Sequence, residues 1–226
     1  MGSIFVIFIG FALISWLIGH QLKSRFAEYA QIPTANGLSG KEVVEKMLRD
    51  NMIYGVKIES VEGQLTDHYN PANKTINLSE EVYYGKHIAA AAVAAHETGH
   101  AVQHAQAYSW LGLRSSLVPA VSFSSKYIQW ILLGGILMVR TFPALLLFGI
   151  FLFALTTLFS FITLPVEINA SNRALIWLRT SGITTAQTQE KAQDALRWAG
   201  YTYVVAALSS LATLLYYISI FMGRRN

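Results

Sequence analysis

The hydrophobic positions of this chain gather into four long runs. The first, Ile4–Ile18, extends with its flanks to about residues 3–22. The second is clearest over Tyr127–Val139 and starts near Leu117, which leaves Lys126 within it. Thr141-Phe142-Pro143 makes a tight turn into the third, Ala144–Leu164, and Tyr201–Met222 is the fourth. Each approaches the roughly 20 residues that an α-helix needs to cross a bilayer core. A cleaved signal peptide is the rival reading of the first run. No basic segment precedes that run and no small-residue cleavage site follows it, which favours a retained span. Tyr201, Tyr203, Tyr216 and Tyr217 are placed like interfacial aromatics at the ends of the fourth.

The stretches between the runs have a different periodicity. Val43, Val44, Met47 and Leu48 recur at helical spacing, with Ser39 as a plausible N-cap. Residues 56–79 read as short strands, with a turn from Asn70-Pro71 to Lys74 between "LTDHY" and "TINLS". After Ser79 the alanine-rich stretch through Ala107 is strong helix sequence. Residues 165–200 are polar and helix-like, with Gly182 as a C-cap between two helices. The pattern predicts a mostly α integral membrane protein with about four transmembrane helices, at 3–22, 117–139, 143–164 and 201–222. A small α+β domain over 23–116 and a helical segment over 165–200 complete it.

Composition sharpens this picture. Of the 226 residues 53% are hydrophobic and 13% charged, about half the charged share of a soluble domain. There is no cysteine, so disulfides, thiolate metal sites and a cysteine nucleophile are all excluded. The net charge of +4 is spread along the chain and forms no block of the kind that binds nucleic acid.

Against this apolar background, "AAVAAHETGHAVQHA" (91–105) stands out, with His96, His100 and His104 at i, i+4 and i+8. His-Glu-x-x-His on a helix puts two imidazoles on one face, one turn apart, where both can reach a zinc ion at about 2.0–2.1 Å. Glu97 is offset by one position, so it can address a water held there without ligating the metal. A solvated helix face is the plain alternative, but small apolar residues flank the motif on both sides. Buried His and Glu need partners, and a metal supplies them. His104 is a poor third ligand, because eight residues of helix rise about 12 Å. A carboxylate at Glu167, in "LPVEINASNRAL", is the best candidate, although it also fits an exposed first-turn glutamate favoured by the helix dipole. His68 and His87 are the other candidates.

"LTDHYNP", "INLSEEVYYGKHIAAAAVAAHETGHAVQHA", "LRSSLVPAV" and "LPVEINASNRAL" together resemble the YugP-type membrane zinc metallopeptidases of bacteria, a neutral zinc metallopeptidase family with gluzincin-like relatives. The resemblance covers nearly the whole chain. It implies a zincin-like catalytic domain, zinc as cofactor, His96, His100 and Glu167 as metal ligands, and Glu97 as the catalytic general base. One departure stands out: some membrane gluzincins carry an acidic residue four positions after the ligand glutamate, where this chain has Ser171. A carboxylate that orients a ligand histidine is therefore missing from its usual place, and Asn169 and Asp67 are the alternatives.

The expected activity is hydrolysis of peptide bonds by a zinc-activated water with Glu97 as base, on protein or peptide substrates that include membrane proteins. His68, Tyr69 and Arg173 are candidate oxyanion donors by residue type, and strand addition to the hairpin before the zinc helix is a candidate mode of substrate binding. Two alternatives are a zinc hydrolase acting on non-peptide bonds and a metal-binding scaffold or sensor without turnover. Topology agrees with a shared site. The second and third runs form a hairpin, which returns Glu167 to the side of the membrane that holds His96 and His100. Near the span ends that side carries seven lysines and arginines against three on the other, which favours a multi-pass cell-membrane protein with a cytoplasmic catalytic domain.

Overall fold

A computed structural model describes residues 2–223, with side chains described from residue 8 onward. The elements in chain order are helices α1 (Gly2–Tyr29) and α2 (Gly40–Asp50), strands β1 (Lys57–Val61), β2 (His68–Asn70) and β3 (Thr75–Ser79), and helices α3 (Glu80–Tyr84), α4 (Ile88–Ala105), α5 (Ser109–Leu137), α6 (Pro143–Thr180) and α7 (Ala186–Gly223). They form two compact units. One comprises Ile18–Leu111 with Pro165–Tyr201, and the other the described parts of 1–17, 112–164 and 202–226.

The first unit is built around α4. Helix α2 starts at a capping box, in which Ser39 Oγ accepts from the Glu42 N–H while the Glu42 carboxylate accepts from the Ser39 N–H at 2.7 Å. It buries Val43, Val44, Met47 and Leu48. The sheet order is β1-β3-β2, with β1 parallel and β2 antiparallel to β3. Lys74, at φ +53°, closes the β2–β3 turn read from the sequence. The central strand β3 is buried throughout, whereas β2 is an edge. Ile76 and Leu78 of β3, the apolar face of α2, and Ala174, Leu178, Ala192 and Leu196 of α6 and α7 converge on the alanines of α4. A helix enclosed on every side must be apolar and small all round, which accounts for Ala89–Ala95. The segment 32–35 ties the unit together: the Ile88 N–H donates to the Ile32 carbonyl at 2.8 Å and the Ala35 N–H to the Ile183 carbonyl at 3.2 Å.

In the second unit, Leu132 of α5 packs on Leu146 and Ile150 of α6, with Leu214, Tyr217 and Ile218 of α7 against them. The Gly135 backbone lies so near Leu146 that an added Cβ would fall 2.6 Å from its Cα. Thr157 and Ser210 join α6 to α7 by a 2.7 Å hydroxyl–hydroxyl bond.

Three features differ from the sequence reading. Two helices among the described residues, α6 and α7, are long and apolar enough to cross a membrane, not four. Between Ser109 and Lys126, helix α5 carries Arg114, Lys126 and six serines, and these dilute its apolar character. The first expected span, 3–22, begins among residues whose side chains lie outside the described set, and the rest of α1 bears Lys23, Arg25 and Glu28. The apolar runs also merge with the polar segments that follow or precede them. Residues 143–164 and the start of 165–200 form one helix, α6, with Pro165 inside it, and the end of 165–200 runs into 201–222 as α7. Proline removes one N–H and crowds the preceding turn, yet here the helix continues past it. Finally, the stretch after Ser79 is two helices, broken at Gly85-Lys86-His87, with His87 as the N-cap of α4.

Candidate metal centre

Glu167 therefore does not open a helix. It sits in the interior of α6, buried, so the reading as an exposed first-turn carboxylate falls away. Helices α4 and α6 meet at Gly99 and Ala170, where a Cβ on Gly99 would lie 2.7 Å from the Ala170 carbonyl oxygen. Only glycine permits that approach. It brings Glu167, one turn before Ala170, opposite His96 and His100. Glu167 Oε2 is 3.2 Å from His96 Nε2 and 3.5 Å from His100 Nε2. One ligating atom from each of the three lies within 4.8 Å of the others, so the group can hold a metal ion.

The donor chemistry fits a cation. Buried Gln103 donates through its amide nitrogen to the Val166 carbonyl at 2.8 Å and to Asn169 Oδ1 at 2.9 Å. Its Oε1 must then face His100 Nδ1, 3.0 Å away, and that nitrogen is the donor. In the neutral ring the lone pair is left on Nε2, aimed at Glu167. Two acceptors 3.5 Å apart repel unless positive charge lies between them. Four ligands at about 2.0–2.1 Å around a tetrahedral zinc are about 3.3–3.4 Å apart, which brackets with the two separations here. The same preference for positive charge shows in the titration of the group. Burial pushes the His100 imidazole toward neutrality, but Glu167 and Glu97 outweigh it and its pKa rises above the ordinary value. Burial alone would raise the Glu167 carboxyl; hydrogen bonding and charge from His100 and His96 prevail and hold it well below the usual carboxylate range.

Glu97 is buried beside this group and takes no part in it as a ligand. Its Oε2 accepts from the Tyr69 backbone N–H of edge strand β2 at 3.0 Å. The sheet edge thus points the carboxylate. On the far side of His96, Ser171 Oγ lies 3.1 Å from Nδ1, so the residue at the departed position still meets the histidine.

The remaining candidates have other tasks. His104 is outside the group; its Nδ1 pairs with the Tyr69 hydroxyl at 2.7 Å. His68 is engaged at both ring nitrogens, by the Thr66 carbonyl at 2.7 Å and by Asn77 Nδ2 at 3.1 Å. His87 Nδ1 caps α4 by accepting from the Ala90 N–H at 3.1 Å. Arg173 reaches Asn169 Oδ1 at 2.7 Å and Gln106 Oε1 at 2.6 Å. Asp67 accepts from the Ser79 N–H at 2.8 Å and touches neither histidine ligand candidate; burial raises its pKa. Sequence reasoning missed Gln103. The signal was available, since a glutamine three residues after His100 on one helix is within reach of its ring.

A His-His-Glu metal group with a second carboxylate held beside it is the kind of site that metal-dependent hydrolases use. The chain belongs to the family described as "Putative neutral zinc metallopeptidase", whose model matches residues 4–222. It is 39% identical over 213 residues, 94% of each chain, to the "Putative membrane protease YugP" of Bacillus subtilis (strain 168). No solved structure matches it.

Proposed function

We propose that this chain is a membrane-embedded zinc endopeptidase, with His96, His100 and Glu167 as the metal ligands and Glu97 as the general base. Family membership supports zinc as the metal, and the observation that carries the catalytic reading is the position of Glu97. A structural metal site has no use for a second buried carboxylate, next in sequence to a ligand and aimed by a backbone N–H from a sheet edge. Zinc, when bound, lowers the pKa of a water toward about 7 and polarises a carbonyl. Glu97 takes a proton from the attacking water onto its carboxylate and returns it to the leaving amine. The Tyr69 N–H fixes the direction from which that carboxylate works. Strand β2 is a sheet edge, and an extended peptide laid along it runs past the group that its own N–H holds. The polar unit and the two apolar helices, together with the name of the Bacillus relative, support placement at a membrane, and the substrates as membrane or membrane-associated proteins.

The test is cleavage of an unfolded protein such as casein by the purified full chain. Wild type is expected to cleave and to stop when a zinc chelator is added. Glu97→Gln keeps the shape but cannot take the proton, so it is expected to hold about one zinc per chain and to lose activity by at least about a hundredfold. Glu167→Ala is expected to lose most of the zinc, whereas His104→Ala keeps it. Glu97→Gln that cleaves like wild type would sink the assignment of the base.

A further inference from the structure

Behind the metal group lies a chain of polar side chains, buried at Gln103 and reaching the surface at Gln106, that the reaction itself does not use. It runs from α6 to α4. Arg173 Nε donates to Asn169 Oδ1 at 2.7 Å, and that same oxygen accepts from Gln103 Nε2 at 2.9 Å. Gln103 Nε2 spends its second hydrogen on the Val166 carbonyl at 2.8 Å. Arg173 Nη1 also holds Gln106, the C-cap of α4, at 2.6 Å. Gln103 is fully buried. An amide can be turned over in many sites, but here both hydrogens meet acceptors on α6 and the opposite orientation would set oxygen against oxygen twice. The amide oxygen has one direction left, toward His100 Nδ1 at 3.0 Å.

We infer that Gln103 is a positioning residue for the metal ligand His100. Locked by Val166 and Asn169 of α6, it fixes the ring in the Nδ1–H tautomer and so presents the Nε2 lone pair to the metal. The neutral histidine side chain in water favours the Nε2–H tautomer, so an unconstrained His100 would have to exchange its proton before binding through Nε2. The usual partner behind a ligand histidine is a carboxylate, a backbone carbonyl or a water. A neutral side-chain amide does the same here only because a second helix dictates its orientation. Ligand geometry and the docking of α4 on α6 are thereby one event: the helix that brings Glu167 also sets the tautomer of His100. This rests on the metal-site reading above.

The experiment measures zinc affinity of the full chain by competition with a chromophoric chelator, alongside thermal unfolding of the metal-free protein. Gln103→Met keeps the volume and removes the acceptor; it is expected to bind zinc about 10–100-fold more weakly. Gln103→Glu keeps an acceptor against Nδ1–H but loses both donors to α6. It is expected to hold zinc within about threefold of wild type or more tightly, and to melt at a lower temperature than wild type. A merely structural role would weaken both variants alike, and that result overturns the inference, as does Gln103→Met that holds zinc like wild type. Should Gln103→Met not fold, Asn169→Ala frees the amide to turn and is expected to weaken zinc about three- to tenfold; unchanged affinity there overturns the inference too. Wild type that binds zinc tightly but cleaves no peptide removes the peptidase reading and leaves this one standing. Wild type that takes up no zinc removes both.

Discussion

Ser171 stands four residues after Glu167 on α6, and its hydroxyl lies 3.1 Å from His96 Nδ1. With Nε2 given to the metal, Nδ1 carries the hydrogen and Ser171 Oγ accepts it. A hydroxyl is a weaker acceptor than a carboxylate, so it lends the ring less basicity. Ser171→Ala is expected to weaken zinc binding about tenfold, and Ser171→Asp to bind at least as tightly as wild type, both read by chelator competition. Loss of affinity in the aspartate variant equal to that in the alanine variant would mean that Ser171 serves packing alone. The two candidate ligand histidines are thus backed by different neutral groups, a hydroxyl from α6 and an amide on α4 that α6 orients. The His-Glu-x-x-His spacing and the candidacy of Glu167 were legible in the sequence, because helical periodicity and donor type need no knowledge of the fold. The partners of the ligands were not. Ser171, Gln103 and Asn169 acquire their tasks only from the approach of two helices at Gly99 and Ala170, and no local pattern announces that contact.

At the scale of elements, α4 has to begin at a defined point for its histidine face to meet Glu167. His87 sets that point: it stands in the extended region, and its Nδ1 accepts the Ala90 N–H that would otherwise be an orphan of the first turn. Only the neutral ring can accept. Burial lowers the pKa of His87, opposed by Glu81. A histidine with a folded-state pKa below its unfolded value of about 6.5 contributes stability that is complete above pH 6.5 and is lost as pH falls through the folded value. A cap of this kind is worth about 1 kcal/mol. His87→Asn supplies a cap that does not titrate. The fall in melting temperature of the wild type between pH 7.5 and pH 5.5 is therefore expected to exceed that of His87→Asn by a few degrees. Parallel behaviour of the two proteins would show that the cap does not respond to protonation. The helices α2 and α4 and the β2–β3 turn were readable from apolar spacing and from capping and turn residues. The continuity of α6 through Pro165 was not. Proline argues for a helix end, and the reading placed a break between the apolar run and the polar stretch; packing of Val166, Ala170, Ala174 and Leu178 carries the helix onward.

The whole molecule is a polar unit and an apolar one threaded by a single chain, in which α6 and α7 each carry an apolar stretch and a polar one. On α6 the change comes at Leu164/Pro165 and on α7 at Tyr201/Thr202, so the candidate metal group, from His96 to Glu167, belongs wholly to the polar unit. Two helices meet the requirement for crossing by themselves. Arginine and lysine near span ends favour the cytoplasmic side. The polar unit holds Lys23, Arg25, Arg173, Arg179, Lys191 and Arg197, while the turn between α5 and α6 holds Arg140. The polar unit is accordingly expected in the cytoplasm and that turn outside. Since the chain has no cysteine, single cysteines report directly. One at Thr188, near the start of α7, is expected to resist a membrane-impermeant thiol reagent in intact cells and to label once the membrane is opened. One at Thr141, exposed in the turn, is expected to label in intact cells. The reverse pattern would place peptide cleavage on the outer face. Protection at both positions would place 141 and 188 on one side, and α6 would then not cross the membrane between them.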